Sequence, residues 1–428
     1  MKYALKNMQI LNGHADMAPV GGKAILVDGE TIAAIVDETA VPAGYEAVDL
    51  GGRYLLPGLI NLHVHLPSTG MPTKKKLNYE KLAKLLKLGL VRAVVRGVCE
   101  NDAKQQMLSG VTTIRTVGGV LDFDTTIRNK INSGKTVGPR ILAADCAISV
   151  PGGHMTGSVA LPAHSADETV QMVRDLDKQK PDLIKLMITG GVLDADVPGE
   201  PGVLKMPPDY VKAAADEAHR LGYPVAAHVE STEGMLVALQ NGVDTLEHGG
   251  KPTPEVIGLF RSTGAALIAT LSPAVPFAVM DQAVTGLSDM DLLNGKALFR
   301  NMIDCIRACL DAGIPIGLGT DTGCPFITHY DTWRELWYLW KLCGVSPAFA
   351  IHTATEQNAK LAGLDKVTGT VEPGKCADFM VVASNPLDDL TALQNPTEVI
   401  CRGRLIHNPK IKRMAFVEEQ LSKVMTAL

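Results

Sequence analysis

Six residues of metal-binding type lie along this chain, each at the C-terminal end of a short apolar segment typical of a buried strand. They are His63 and His65 in GLINLHVHL, Lys185 in DLIKLMITGG, His228 in YPVAAHVES, His248 in VDTLEHGG and Asp321 in IPIGLGTDTG. Side chains alternate along a strand, so both imidazoles of the HxH pair leave the same face and can bind one ion. The repeated position at strand ends predicts a metal-dependent hydrolase built on a parallel α/β barrel, where catalytic groups collect at that edge.

Each of these residues also has a structural alternative. A single histidine on an apolar strand, such as His228 or His248, is typical of a hydrogen-bonded core residue, and an isolated HxH pair is a weak signal. Lys185 is more informative because it lies between Ile184 and Leu186, and a lysine inside an apolar strand must lose its charge or find a partner. Reaction with carbon dioxide would turn its amine into a carboxylate-like anion that bridges two metal ions. The alternative is a buried ion pair with an aspartate.

The order of apolar segments predicts the elements that position these residues. From Pro57 onward, short apolar runs alternate with longer amphipathic runs such as PPDYVKAAADEAHRLG, which indicates strand followed by helix. Eight short runs are present, the number that a closed (β/α)8 TIM-type barrel requires. The predicted barrel strands are Leu59 to His63, Thr112 to Thr116, Arg140 to Ala144, Leu183 to Met187, Val225 to His228, Thr245 to His248, Ala266 to Thr270 and Ile316 to Thr320.

The two ends of the chain have a different pattern. Both consist of short strand-like pieces separated by Gly, Asp and Pro, without a long helical period. We therefore expect residues 1–56 and 367–412 to pack together as one small β-sandwich domain that flanks the barrel of residues 57–366. A terminal helix is expected over residues 413–428.

The lysine-rich stretch from Pro72 to Arg96 has two interpretations. A basic amphipathic helix can lie on a membrane surface. The apolar residues Leu82, Leu85, Leu86 and Val94 instead fit an ordinary amphipathic helix whose lysines face solvent. We favour this second interpretation.

The composition is that of a globular enzyme, since 46% of the 428 residues are hydrophobic and 20% are charged. The net charge of -5 argues against nucleic acid as a partner, because phosphate binding needs a basic face. The start of the chain lacks the pattern of a signal peptide, and no apolar run reaches the roughly 18 residues that span a bilayer. The eight cysteines contain no CxxC pair, which indicates free thiols. We expect a cytoplasmic homo-oligomer that acts on a small molecule and binds neither nucleic acid nor membrane.

The sequence resembles the amidohydrolase superfamily, in the subgroup that includes prolidase-like dipeptidases and imidazolonepropionase-like enzymes. The motifs that carry the resemblance run from PGLINLHVHL through GVTTIRTVGG, DLIKLMITGGV, AAHVES, DTLEHGG and GLGTDTG to TGTVEPGKCADFMVV. The resemblance implies two divalent ions, one held by His63, His65 and Asp321, the second by His228 and His248, with carboxylated Lys185 as the bridge. Zinc is the expected metal, because it suits imidazole and carboxylate ligands.

The expected reaction is the hydrolysis of a carbon–nitrogen bond in an amide, a peptide or a cyclic amide. Two divalent cations that share a water lower its pKa, so that hydroxide is available near neutral pH, and they polarise the substrate carbonyl. Asp321 is the expected general acid/base, which accepts the proton of this bridging hydroxide during attack and passes it to the leaving nitrogen. The structural alternative for Asp321 is a helix N-cap, since TDTG precedes a loop and then a helix.

Three further residues are candidates for substrate binding. Arg115 ends the second strand, His154 lies in the loop PGGHMTG after the third, and His329 follows Asp321 by eight residues. An arginine can bind a substrate carboxylate through two hydrogen bonds, and a structural ion pair is the alternative for Arg115. His154 lies in a glycine-rich loop, which suits contact with the substrate or with a developing oxyanion.

Two departures limit what the resemblance implies about the substrate. Several dipeptidases of this subgroup have a tyrosine shortly after the fifth-strand histidine, whereas this chain has HVESTEG, which argues against a dipeptide. Glu230 lies there instead, and related deaminases use a glutamate near this point for proton transfer. An aminoheterocycle deaminase is therefore the alternative function, although such enzymes generally use one metal and lack the bridging lysine. A non-catalytic scaffold protein is a remote alternative, because all six ligand positions are filled.

Overall fold

The computed structural model describes residues 2–72 and 85–428. Within them the strands are β1 (Lys2–Ile10), β2 (Lys23–Asp28), β3 (Thr31–Asp37), β4 (Glu46–Pro57), β5 (Leu59–Val64), β6 (Val111–Thr116), β7 (Arg140–Leu142), β8 (Ala147–Ser149), β9 (Ala160–Pro162), β10 (Ile184–Met187), β11 (Val225–Val229), β12 (Thr245–His248), β13 (Ala266–Ala269), β14 (Ile316–Leu318), β15 (Phe379–Val382), β16 (Glu398–Cys401) and β17 (Arg404–His407). The helices are α1 (Gly89–Leu108), α2 (Phe123–Asn132), α3 (Ala166–Asp177), α4 (Pro208–Arg220), α5 (Thr232–Gln240), α6 (Pro254–Thr263), α7 (Ala274–Val279), α8 (Gln282–Thr285), α9 (Asp289–Asp311), α10 (Thr332–Cys343), α11 (Pro347–His352), α12 (Asn358–Leu361) and α13 (Ala415–Ala427).

Eight parallel strands form a TIM-type α/β barrel, in agreement with the prediction. β5, β6 and β7 pair in parallel, and so do β10 to β14 in sequence. Backbone hydrogen bonds join these two groups into a ring, from Asp182 N to Ala143 O at 2.7 Å and from His65 N to Thr322 O at 2.9 Å. Each strand begins and ends within two residues of its predicted bounds. The short strands β8 and β9 lie in the connection after β7 and were not predicted.

The barrel strands are buried on both faces, which explains their nearly continuous apolar sequences. Every residue of β5, β6, β10, β11 and β12 is buried. The helices cover the outside with one apolar face each. α4, for example, begins with a proline, buries Val211, Ala214, Ala215 and Ala218, and is followed by Gly222 at a φ of 88°. Polar residues in these strands are therefore exceptions that need a specific partner.

The two ends of the chain pack together as one seven-stranded sheet in the order β17-β16-β15-β4-β1-β2-β3. β4 joins the ends, because it pairs in parallel with β1 and antiparallel with β15. Residues from both ends, including Leu5, Ile25, Phe379 and Ile400, share an apolar cluster separate from that of the barrel. The two-layered sandwich and the domain bounds given above stay predictions.

The lysine-rich stretch differs from its prediction. Helix α1 begins at Gly89 and is preceded by non-helical residues 86–88, and Leu82 lies outside the described residues. Leu86 is buried, but 41% of Leu85 and 61% of Val94 are exposed, so the apolar residues do not form one buried face. Among the described helices, none is sufficiently long and apolar to cross a membrane. All eight cysteines are free thiols, as predicted.

Candidate metal centre

The first group of ligand-type atoms consists of His63, His65 and Asp321. The Nε2 atoms of the two histidines lie 3.2 and 3.1 Å from the same carboxylate oxygen, Oδ1 of Asp321. The other ring nitrogen of each histidine has its own acceptor: Nδ1 of His65 lies 2.9 Å from the carbonyl of Gly118, and Nδ1 of His63 lies 2.7 Å from Glu247. A neutral ring then carries its proton on Nδ1, so three lone pairs face one point. A cation at that point fits this arrangement.

The second group consists of His228, Glu230 and His248, all buried. The His248 ring centroid lies 4.7 Å from that of His228 and 4.8 Å from that of His63, so the two groups adjoin. Nδ1 of His248 is 2.7 Å from the Thr270 hydroxyl, which leaves Nε2 free. Burial and the charges of neighbouring groups hold the pKa of both histidines well below the usual value. Both rings are therefore neutral near pH 7, as metal ligands must be.

Two of these side chains depend on unusual backbone conformations. His248 has a φ of 73° and Asp321 a φ of 56°, in the left-handed region that non-glycine residues seldom adopt. In a regular strand His248 would point away from Glu247, towards the outer helices. The positive φ of His248 breaks this alternation, so the side chains of Glu247 and His248 both lie in the barrel interior. Gly319 makes the adjacent room, since a Cβ there would lie 2.4 Å from Cβ of His63.

Lys185 lies in the middle of β10 and is completely buried. Its Nζ has no hydrogen-bond partner among the described residues. The pKa of this amine is lowered to about 8, chiefly by burial; the charge of Arg115 lowers it as well, whereas those of Glu247 and Asp321 raise it. The Lys185 charge in turn lowers the pKa of both second-group histidines. The alternative of a direct ion pair with an aspartate is not observed among the described contacts.

Arg115 does not face the barrel mouth, which corrects its predicted role in binding substrate. Its side chain is 6% exposed, and Nε donates to the carbonyl of Leu62 at 2.7 Å. Nη2 donates to Oε1 of Glu247 at 2.7 Å, and Nη1 donates to the Thr245 hydroxyl at 3.1 Å. Burial alone would raise the pKa of Glu247, but Arg115 and the hydrogen bond from His63 hold it below its usual value. The ion-pair alternative therefore describes Arg115.

The His329 ring is buried and bonded on both nitrogens, so no ring nitrogen is left for the predicted contact with substrate. Its ring is 3% exposed and packs beneath the first loop, with Nε2 2.7 Å from the carbonyl of Ser68 and Nδ1 3.4 Å from Gln106. Burial lowers its pKa to about 4, so it is neutral. A buried ring with both nitrogens engaged acts as a structural support for the loops.

His154 is the one predicted substrate-binding residue that lies at the site. Its ring stacks on His228 at a centroid distance of 4.1 Å and an angle of 5°. Asp194, in the loop after β10, forms a hydrogen bond with Nδ1. Gly191 is required beside this ring, because a Cβ there would lie 2.8 Å from His154 Cε1. His154 is 20% exposed in its side chain and therefore borders the open side of the second group.

Three residues that were not predicted, Glu247, Thr270 and Asp194, contact the histidines rather than the expected ions. Glu247 stands next to His248 in the quoted motif DTLEHGG, and a glutamate in an apolar strand is a signal of the same kind as Lys185. Glu230 was noted only for the deaminase alternative. Its carboxylate is buried, Oε2 has no hydrogen-bond partner, and burial together with the charge of Asp321 holds its pKa well above the usual value.

A TIM-type barrel with these ligand-type groups at the C-terminal ends of its strands defines a metal-dependent hydrolase. The sequence profile of the Amidohydrolase family matches residues 54–406. The chain therefore belongs to the amidohydrolase family, as the motifs predicted. Members of this family depend on metal ions, and the predicted class of enzyme, a hydrolase of carbon–nitrogen bonds, is confirmed.

Three similar proteins are informative. The crystal structure of a candidate prolidase from Bifidobacterium longum has a TM-score of 0.88 and 36% sequence identity, and the match covers 99% of each chain. A Xaa-Pro dipeptidase with methionine bound in its active site has a TM-score of 0.82 and 27% identity, over 95% of this chain and 100% of that one. Ochratoxinase from Aspergillus niger is 26% identical over 438 residues, which cover 92% of this chain and 85% of the ochratoxinase.

Proposed function

We propose that this chain binds two divalent cations, expected to be zinc, and uses them to hydrolyse an amide or peptide bond in a small molecule. Lys185 is the observation that carries the proposal. Its amine is completely buried and unpaired, yet it is close enough to His228, His248 and Asp321 for their charges to interact. Because its pKa is lowered to about 8, a fraction of the amine is neutral and reactive near pH 7.

Carboxylation of Lys185 would resolve the cost of burying this amine. The neutral amine attacks carbon dioxide, forms a nitrogen–carbon bond and releases one proton, which leaves a carbamate with two oxygens. One oxygen would complete the group of His63, His65 and Asp321, and the other would complete the group of His228 and His248. The chemistry of the donors fits zinc, which binds imidazole and carboxylate oxygen.

When bound, the two cations would polarise the substrate carbonyl and make a water molecule acidic enough to attack it. Asp321 is the proposed general acid/base: it takes the proton from the attacking water and delivers it to the departing nitrogen. Its position supports this role, because it is the one carboxylate of the first group and, among the described residues, its Oδ2 is contacted by the Cys324 thiol alone, at 3.3 Å. His154, held by Asp194, is the proposed contact for the substrate oxygen.

The proposed substrates are N-acyl amino acids and dipeptides, because the similar proteins include a Xaa-Pro dipeptidase and an ochratoxinase. Within this class, recognition of the substrate carboxylate must differ from that of dipeptidases with a tyrosine after the fifth-strand histidine. Arg115 is engaged with Glu247 and is not available for it. His154 and the loops around it are the remaining candidates in the described structure.

A deaminase is the second candidate function, and Glu230 is the observation that favours it. Burial and the charges of Asp321 and Asp194 hold the pKa of its carboxylate well above the usual value, which favours the protonated form more than in an exposed glutamate. It lies beside His228, with Oε1 3.9 Å from Nε2 of that ring. A protonated carboxylic acid at this place could donate to a ring nitrogen of an aminoheterocycle.

The decisive experiment combines metal analysis with a product-specific assay. Zinc-loaded protein should contain about two zinc ions per chain and either release an amino acid from Xaa-Pro dipeptides or N-acyl amino acids, or open the ring of cyclic amides. The Lys185→Ala variant should lose both properties, while Lys212→Ala, at an exposed helical position, should keep them. Release of ammonia from aminoheterocycles, with no amide hydrolysis, would favour the deaminase. One zinc ion or none in active protein would contradict the two-cation site.

We also propose how the chain is divided into domains. A small domain of residues 1–56 and 367–412, with the strands of both ends in one sheet, would flank a catalytic barrel of residues 57–366. Residues 413–428 would add a terminal helix. A homo-oligomer is proposed as well, and light scattering of the purified protein would measure its mass.

A further inference from the structure

Glu247 links three side chains of the barrel interior, those of His63, Arg115 and Thr245. Its carboxylate is completely buried, and each oxygen has a defined donor. Nδ1 of His63 is 2.7 Å from Oε2, while Oε1 accepts from Arg115 Nη2 at 2.7 Å and from the Thr245 hydroxyl at 2.9 Å. Arg115 also contacts Thr245 at 3.1 Å. These side chains therefore form a hydrogen-bonded network that contacts the metal-binding groups through the His63 ring.

We propose that Glu247 is a positioning residue that determines how strongly His63 binds a metal ion, and that Arg115 and Thr245 hold Glu247 in place. A carboxylate can only accept hydrogen bonds, so Nδ1 of His63 must keep its proton and Nε2 presents its lone pair towards Asp321. The negative charge also makes the imidazole a stronger donor to a cation. This inference rests on the proposed metal site and adds residues that do not touch the ions.

The backbone of β12 makes the arrangement possible. Glu247 and His248 are consecutive residues that a regular strand would direct to opposite faces. Because φ of His248 is 73°, Glu247 reaches His63 of the first group while His248 directs Nε2 to the second group. Glu247 forms no hydrogen bond with His228 or His248. A change confined to Glu247 should therefore weaken the first group far more than the second.

The experiment measures the affinity of zinc alone for metal-free protein, by competition with a chelating dye. Replacing Glu247→Gln keeps the size and an amide oxygen but removes the charge, and the amide can turn a donor towards His63. We expect one of the two zinc ions to bind about 10- to 100-fold more weakly, the range seen when such outer partners are removed. The affinity for the second ion should change far less, because Glu247 forms no hydrogen bond with His228 or His248.

Two further variants separate positioning from a loss of folding. Thr245→Val removes only a hydroxyl that supports Glu247. It should weaken the binding of the same zinc ion by a smaller factor. Glu398→Gln is the matched control, because Glu398 is also buried and accepts from an arginine, Arg53, at 2.8 Å, in the flanking sheet. The control should change stability without changing either zinc affinity. If Glu247→Gln does not fold, the zinc affinity of Thr245→Val alone tests the positioning role of Glu247.

A measurement on metal-free protein tests the contact between His63 and Glu247 whatever the number of ions that the protein binds. The ring N–H of His63 that faces Glu247 should give a proton resonance typical of a carboxylate-bonded imidazole, lost in both Glu247→Gln and His63→Asn. Wild-type affinity for zinc in Glu247→Gln and Thr245→Val would overturn the positioning role. Wild-type protein with fewer than two zinc ions would instead overturn the proposed two-cation site, while the proton resonance would still test the contact.

Discussion

Replacing Lys185→Met should stabilise the metal-free protein while destroying its metal site. Methionine is close to lysine in length and carries no charge. The pKa of Lys185 falls from 10.5 to about 8, chiefly because the amine is buried without a hydrogen-bond partner. A tenfold change in proton affinity corresponds to about 1.4 kcal/mol, so keeping this lysine charged in the fold costs about 3 kcal/mol. The methionine variant should recover up to that amount at pH 7.

The dependence of stability on pH tests the sign of this effect independently. The folded pKa of about 8 lies below the unfolded value of 10.5, so between these values the unfolded chain binds more protons than the folded one. The stability of the metal-free wild type should therefore rise from pH 8 towards pH 10.5, and the full penalty should be present below pH 8. The Lys185→Met variant should lack this rise.

Urea unfolding of chelator-treated protein, in buffer free of carbon dioxide, measures both effects. Lys212→Met is the control, because Lys212 is exposed and pairs only with Asp216, so its change should stay within about 0.5 kcal/mol. Zinc analysis of reloaded Lys185→Met should show one ion or none. A metal-free variant less stable than wild type would refute the burial argument, and a variant with two zinc ions and normal activity would refute the bridge.

Three other predictions concern individual contacts of the site. Asp321→Asn keeps one oxygen but cannot accept a proton, so turnover should fall by at least about 10²-fold while zinc content changes less; near-normal turnover would remove Asp321 from proton transfer. His154→Ala should lower kcat more than it raises KM in steady-state kinetics if the ring contacts a developing oxyanion, and unchanged kinetics would make His154 structural. Thr270→Val removes the 2.7 Å contact with Nδ1 of His248, so zinc affinity measured with a competing dye should fall about tenfold; equal affinity would show that this hydroxyl does not orient the ring.

The sequence by itself determined the barrel and the identity of the ligand-type residues. Alternation of apolar and amphipathic runs follows directly from burial on both faces of a parallel sheet, so all eight strands could be predicted to within two residues. His63, His65, Lys185 and Asp321 could be recognised because polar groups inside apolar strands are costly and therefore have a purpose. This inference needs no knowledge of which strands are neighbours.

Only the tertiary structure decided what each polar side chain contacts. Arg115 and Glu247 are separated by 132 residues, and Glu247 and His63 by 184, so no local pattern connects them. The same arginine could have faced the substrate or the barrel core, and closure of the barrel placed the buried carboxylate of Glu247 within its reach. The left-handed φ of His248 likewise depends on packing across the barrel, because local preferences alone disfavour it. Which side chains contact one another depends on how the barrel closes, and therefore on the whole fold. The position of each strand in the sequence depends on the residues of that strand.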